Sequence, residues 1–277
     1  MKKIILVAAL AIATTSAFAQ TSKNGHRIAP ESGDWGISID AHPLLDYVGN
    51  LANGNQGNQG FGFEYATPWA ITGLMYIDEN TAYRGTLGFN PINSAKTTNI
   101  VDQDGSTSNP PATVEDTRKM SSTVIQLGAG IQKTRGSHRV IGKYGAEAHI
   151  GLGSGKTTYE FGNAFSSSNT TPTSTVDFDN GYSSPVGSRM TEYKQGSTFN
   201  FGVRAFIGVE YFVAPKVSLC GEYGLGIGIS STGEGEMTTE YWNGTGVATQ
   251  TSKSGKSSEF NFGVDNMGGA IRGTFYF

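Results

Sequence analysis

After residue 20 the sequence alternates apolar and polar residues again and again, and this two-residue period most limits what the chain can fold into. Successive side chains of a β-strand point to opposite faces, so the alternation predicts strands with one apolar and one polar face. The helical pattern, with apolar residues three and four apart, is almost absent from the same stretch. The chain is therefore expected to be all-β.

Eight alternating runs can be read from the sequence, and several reach the 9–11 residues or so that a tilted strand needs to cross a bilayer. The runs lie at 33–41, 71–78, 83–89, 123–131, 143–152, 199–211, 218–229 and 260–277. In the last run the parity changes between Asp265 and Gly269, where two glycines suit a β-bulge.

The connections between the runs alternate in length. Short turns are expected near 78–82, 135–140 and 212–216, and long polar loops near 43–68, 91–119, 156–197 and 231–257. Short turns on one side and long loops on the other are typical of outer-membrane barrels, whose long loops lie outside the cell. The sequence thus predicts a transmembrane antiparallel up-and-down β-barrel of eight strands, with short periplasmic turns and long extracellular loops.

The first residues have the layout of a secretory signal peptide. A basic start is followed by the apolar run 4–12 and by Ala17-Phe18-Ala19, small residues at the cleavage positions. We expect residues 1–19 to be the cleaved signal peptide, 20–32 a disordered periplasmic lead, and 33–277 the barrel. This organisation predicts export to the outer membrane of a Gram-negative bacterium.

The two faces of the runs suit two solvents, lipid outside and a small, polar lumen inside. Aromatic residues expected at the periplasmic edge of the lipid face are Trp35, Tyr83, Tyr144, Tyr211, Tyr223 and Phe275. Nine charged residues occupy positions on the polar face of the alternating runs, which is the face predicted to line the lumen: Asp34, Asp40, Arg84, Lys143, Glu147, Arg204, Glu210, Glu222 and Arg272. An eight-stranded barrel is only just wide enough for side chains to fill, so we predict that these charges form a salt-bridged network that closes the lumen.

The C-terminal sequence Arg272-Gly273-Thr274-Phe275-Tyr276-Phe277 looks like the end signal of bacterial outer-membrane barrels, with Ile271, Gly273, Phe275 and Phe277 in alternation. The segments 76–85 and 209–216 look like strand–turn–strand elements of the Bacteroidota members of that family. The chain from 33 to 277 thus resembles the small eight-stranded outer-membrane barrels, which include the opacity-type proteins and the membrane part of outer-membrane protein A. The resemblance implies outer-membrane lipid and lipopolysaccharide as surroundings, and the barrel-assembly machinery as a partner of the last strand.

Motifs for catalysis, metals and nucleic acid are weak. The segment 151–157 looks at first like a phosphate-binding loop, but Ile150 stands where that motif needs glycine. Four histidines without ligand spacing and one cysteine make a zinc site improbable, and a net charge of −3 provides no basic field for nucleic acid. His149 and Glu147 are the one conceivable acid–base pair, and we expect no enzyme, cofactor or metal.

The leading functional interpretation is a structural barrel with a closed lumen that displays surface loops for envelope integrity or adhesion. Residues 156–197 are rich in Ser, Thr and Asn with interleaved aromatics, so an extracellular ligand or host surface is a conceivable loop partner. Alternatives are a narrow diffusion channel, an outer-membrane hydrolase acting through His149 and Glu147, and a soluble exported β-sandwich.

Overall fold

The structure, a computed structural model, describes residues 27–40, 69–104, 109–136 and 139–277. Within these residues no helix has the length and apolar character needed to cross a membrane. The strands there are β1 Trp35–Asp40, β2 Trp69–Asp78, β3 Thr81–Val101, β4 Thr113–Arg135, β5 Val140–Glu160, β6 Thr173–Asp177, β7 Tyr182–Pro185, β8 Ser188–Ala214, β9 Val217–Thr232, β10 Glu236–Trp242, β11 Val247–Lys253 and β12 Ser257–Tyr276.

Eight of the strands close into a ring. Each pairs antiparallel with its neighbours in the order β1, β2, β3, β4, β5, β8, β9 and β12. The ring is completed because β12 pairs with β1, from Gly36↔Tyr276 to Asp40↔Arg272. The predicted eight-stranded antiparallel barrel is therefore confirmed, and the β-sandwich alternative is wrong because the sheet has no two separate layers.

The short connections lie where the sequence predicts them: residues 79–80 separate β2 from β3, residues 215–216 separate β8 from β9, and β4 ends at Arg135 shortly before β5 begins at Val140. Three of the predicted long loops, 91–119, 156–197 and 231–257, are however largely strand where the structure describes them. β3 and β4 stay paired out to Val101↔Thr113, and β8 alone contains 27 residues. The polar, threonine-rich extensions show no apolar alternation, because they continue beyond the apolar belt, yet the backbone ladder continues through them. Two hairpins, β6–β7 and β10–β11, complete this outer region.

The outward face of the ring carries an exposed apolar belt. Its members include Ile37, Ile71, Leu87, Ile125, Leu127, Ile150, Leu152, Phe201, Val203, Leu225 and Ile227. Near the short turns, Trp35, Tyr83, Tyr144, Tyr223 and Phe275 are exposed on the same face, while Tyr211 is half-buried. Soluble monomers rarely expose contiguous apolar patches of more than a few hundred Å². The belt extends around the barrel, and Ile271, Phe275 and Phe277 of the C-terminal stretch belong to it.

Inside the barrel, the short-turn end is filled by buried apolar side chains. This basal cluster consists of Ile28, Leu74, Tyr76, Ala82, Ile141, Phe212 and Tyr276. The Tyr276 ring lies edge-on to Tyr76, with centroids 5.9 Å apart, and 5.8 Å from the Phe212 ring. The cluster therefore fills the lumen at this end.

Ile28 enters the basal cluster from the segment that precedes β1. The Ile28 carbonyl accepts a hydrogen bond from the Lys216 amide at 3.2 Å, and the Gly33 amide donates to the Tyr76 carbonyl at 2.8 Å. The expectation that residues 20–32 are disordered is wrong for 27–32, because an apolar side chain in the barrel mouth fixes them. Residues 20–26, the predicted signal peptide and the predicted loop 43–68 lie outside the described residues.

Candidate functional site in the barrel lumen

Glu222, on β9, is the centre of an ion cluster that crosses the lumen. Arg84 binds its carboxylate with both terminal nitrogens, Nη1 to Oε2 at 2.8 Å and Nη2 to Oε1 at 3.0 Å. Lys143 Nζ lies 3.2 Å from Glu222 Oε2, and Arg204 Nη2 contacts Oε1. One carboxylate thereby joins β3, β5 and β8 to β9.

Glu147, on β5, is the second carboxylate of the cluster. Its Oε2 lies 2.8 Å from Arg84 Nε and its Oε1 lies 3.1 Å from Arg204 Nε. The two guanidinium groups therefore each contact both carboxylates. The Phe206 ring completes the packing, because the Arg84 Cζ lies 4.3 Å from its centroid and the Arg204 Cζ 5.5 Å.

Glycines between the charged residues make room for these contacts. Gly130 stands between Arg84 and Glu147 in the strand register, and a Cβ there would lie 2.5 Å from the Glu147 Cβ. Gly208 stands between Lys143 and Glu222, and a Cβ there would lie 3.2 Å from the Lys143 side chain. A charged side chain thus reaches its partner two strands away across a strand that presents no side chain of its own.

The other residues of the predicted network make their direct contacts with different partners. Arg272 Nη1 donates to Thr72 Oγ1 at 2.7 Å, and Glu210 accepts hydrogen bonds from the hydroxyls of Ser218 and Tyr276, the latter at 2.7 Å. Asp34 pairs with Lys216 at the rim of the short-turn end. The side chain of Asp40 lies outside the described residues. Five of the nine residues, Arg84, Lys143, Glu147, Arg204 and Glu222, are brought into one cluster.

The residues considered as acid–base or metal-binding candidates pack against other residues of the barrel wall. Both oxygens of Glu147 contact guanidinium nitrogens, and the His149 ring packs over Gly202. Cys220 is buried on the lumen face. Among the described residues, no group of three His, Cys, Asp or Glu side chains has a metal-binding arrangement.

A second set of buried polar side chains anchors the loop between β5 and β8. Asp116 accepts hydrogen bonds from the backbone amides of Gly162, at 2.9 Å, and Thr175, at 2.6 Å. Asn163 donates from Nδ2 to the Val101 carbonyl at 3.0 Å. The β6–β7 hairpin is thereby fixed against the inward faces of β3 and β4.

Arg189, near the start of β8, is the third anchor of this loop. Its Nη1 donates to the Asn163 carbonyl at 2.8 Å and to Ser174 Oγ at 2.7 Å, and its Nε bonds Glu240 of β10 at 2.7 Å. The Phe161 and Phe165 rings pack against the guanidinium at 4.3 and 4.8 Å. Sequence reasoning missed all three anchors because they lie outside the alternating runs. The sequence feature that could have indicated them is the presence of isolated charged residues, such as Asp116 and Arg189, within Ser/Thr-rich stretches.

Asp179, in the turn of the β6–β7 hairpin, is held by two cations. Arg118 contacts its carboxylate from two nitrogens, at 3.0 and 3.3 Å, and Lys96 Nζ lies at 3.0 Å. The hydrogen bonds from Arg118 and then Lys96 lower the pKa of Asp179 to about 2.

No family model matches the chain, and no curated protein does. Among solved structures, it is similar to the outer membrane protein OprG from Pseudomonas aeruginosa, at 9% identity over 90% of this chain and 98% of that chain, with a TM-score of 0.25. A similarity this weak does not support a fold or a function. The strand pairings described above define the barrel.

Replacing Glu222 by Gln is expected to destabilise the barrel by about 3–5 kcal/mol, because it leaves buried cations without their shared carboxylate. Glu160→Gln is the matched control, since its 2.6 Å ion pair with Lys119 is exposed and should contribute about 1 kcal/mol or less. Urea unfolding of the refolded protein in vesicles measures both. Equal stability of the two variants would contradict a role of the cluster in holding the barrel together.

Asp179 is expected to titrate with a midpoint near 2 in the folded protein, measured from its carboxyl carbon by NMR. A pKa lowered on folding stabilises the hairpin above the unfolded value of about 3.9, and this contribution is lost as the pH falls towards 2. Arg118→Gln should raise the Asp179 midpoint. The pKa of Asp177 is lowered chiefly by hydrogen bonds from Asn180, and Arg118 acts on it only through a weaker electrostatic interaction, so its midpoint should move less than that of Asp179. An unchanged Asp179 midpoint in the variant would show that Arg118 is not the cause.

Proposed function

We propose that this protein is a non-conducting outer-membrane barrel that holds an ordered loop platform at the cell surface, with a role in envelope integrity or adhesion. The observation that carries the proposal is the filled lumen, in which the basal cluster lies beneath the ion cluster. A diffusion channel needs a continuous hydrated path, and seven buried side chains occupy that path at the short-turn end.

The membrane location is supported by the exposed apolar belt. Closed barrels pair the backbone groups of their strands, which lipid requires, and an outward apolar band about 25 Å tall is the usual lipid contact. The signal peptide expected at residues 1–19 supplies the export route. The short turns would then lie in the periplasm and the strand extensions and hairpins outside the cell.

The display role is supported by the anchors of the β6–β7 hairpin. Asp116 and Arg189 are buried and bind backbone groups of the loop, so the loop has a fixed shape before any partner arrives. Preorganised loops on a rigid scaffold bind with a smaller ordering cost. The proposal assigns no catalytic role, because both oxygens of Glu147 are engaged by arginines and are not poised to serve His149 as a base.

The refolded mature protein is expected to give no unitary conductance steps in planar lipid bilayers, because the basal cluster blocks the lumen. A heat-dependent shift in gel mobility checks that the protein is folded, and a porin in the same bilayers is the positive control. Reproducible steps from folded protein would overturn the closed-lumen proposal and favour the diffusion channel.

Leu127→Arg is expected to lower the free energy of unfolding in vesicles by about 2–4 kcal/mol, because it places a charge near the middle of the lipid-facing belt. Val247→Arg, on the β10–β11 hairpin, is the matched control. Leu127 and Val247 are equally exposed, at 49% and 52%. A substitution at a position exposed to water should change the free energy of unfolding by no more than about 0.5 kcal/mol. Equal, small effects at both positions would contradict the membrane location.

A further inference from the structure

Beyond the apolar belt, the outward faces of β3, β4 and β5 form a groove of about 450 Å³. Two cross-strand rows line it: Asn93↔Ser121↔Lys156 nearer the belt, and Ala95↔Lys119↔Thr158 one step further out. Lys156 lies at the β5 end of the first row and Lys119 at the centre of the second, so the two lysines are diagonal neighbours on adjacent strands, with small side chains around them. We call this feature the headgroup groove.

The headgroup groove begins next to the layer in which lipid headgroups are expected. Lys156 is four residues beyond Leu152, the last apolar belt residue of β5, with exposed Ser154 between them. Four residues of strand tilted by about 45° rise roughly 9 Å along the membrane normal. Headgroup regions occupy roughly the first 5–8 Å outside the hydrocarbon on each side, so the backbone of the nearer row lies just beyond them. A long lysine side chain can extend its ammonium group back towards the membrane, which brings Lys119 and Lys156 within reach of the headgroups.

The charges of the headgroup groove are ordered along the strands. Lys119 Nζ contacts Glu160 at 2.6 Å and Lys156 Nζ contacts Glu192 at 2.7 Å, and the two glutamates lie on the side away from the belt. Lys156 also stands directly opposite Lys194 in the strand register, an arrangement of like charges that is unfavourable without an anion between them. Glu192 supplies that anion by contacting Lys194 as well, at 2.9 Å.

We propose that the headgroup groove binds a phosphate group of an outer-leaflet glycolipid, with the ammonium groups of Lys119 and Lys156 as its ligands and Ser121 and Thr158 as hydroxyl donors. This inference rests on the proposed function, because it needs the barrel to lie in a membrane. Both ammonium groups are half-exposed and held by flexible stems. They can turn from the glutamates towards a phosphate on the membrane side.

The test uses folded protein in neutral detergent, titrated with lipid A carrying two phosphates and with the same lipid after phosphate removal. Native mass spectrometry counts the bound lipid. The double variant Lys119→Gln/Lys156→Gln is expected to bind the phosphorylated lipid about ten-fold more weakly or worse. The control variant Lys253→Gln/Lys256→Gln removes two more exposed lysines, which pair with Glu234 instead, and should bind as the unchanged protein does.

Three results would overturn the proposal: equal loss in both double variants, equal binding of the dephosphorylated lipid, or full competition by inorganic phosphate at matched concentration. Insertion into neutral phosphatidylcholine vesicles, followed by the heat-dependent gel shift, separates this proposal from the one on which it rests. Failure to insert would refute the membrane location itself. Normal insertion without a preference for phosphorylated lipid would refute the headgroup groove alone.

Discussion

The pairing of Glu147 and Glu222 with Arg84 and Arg204 is the interaction on which the rest of the barrel interior depends. A charge taken out of water is costly unless an opposite charge and hydrogen bonds replace the water. Here each carboxylate contacts both guanidinium groups, and Lys143 adds a third cation to Glu222. These contacts connect walls of the barrel that share no backbone hydrogen bonds, such as β3 and β9. Losing one partner therefore affects several strands at once.

The molecule meets three environments along its length, and its chemistry changes with each. Apolar side chains face outward around the ring, and inside the barrel they form a cluster at the base, where Ile28 and Tyr276 fill the lumen. Ionic contacts fill the middle of the lumen. In the outer region the strands are mainly polar on both faces, and buried Asp116 and Arg189 hold the hairpin together with the buried rings of Phe165 and Phe178. The proposed closed barrel, loop platform and headgroup groove each belong to one of these environments.

Much of the fold could be predicted from the local alternation of apolar and polar residues, and the features that were not predicted share a common cause. The two-residue period predicted the eight strands, the face of each residue and the short turns. It failed in the outer region, where β3 and β4 continue as a polar ladder to Val101↔Thr113. Backbone pairing there needs no apolar face, so the sequence shows no alternation to read. For the same reason the sequence did not predict the roles of Asp116, Asn163 and Arg189. Most of their partners lie in a loop whose sequence shows no strand alternation.

The sequence by itself determined which side chains point into the lumen, because parity along a strand is a local property. Only the closed barrel decided which of them meet. Arg84 and Glu222 are 138 residues apart, and their contact depends on the register of every strand between them and on the glycines that leave room across the wall. A shift of one residue in any of those pairings would turn a lumen charge towards the outside. Glu210 shows the same limit, since it shares the parity of the network yet lies below it, hydrogen-bonded to Tyr276.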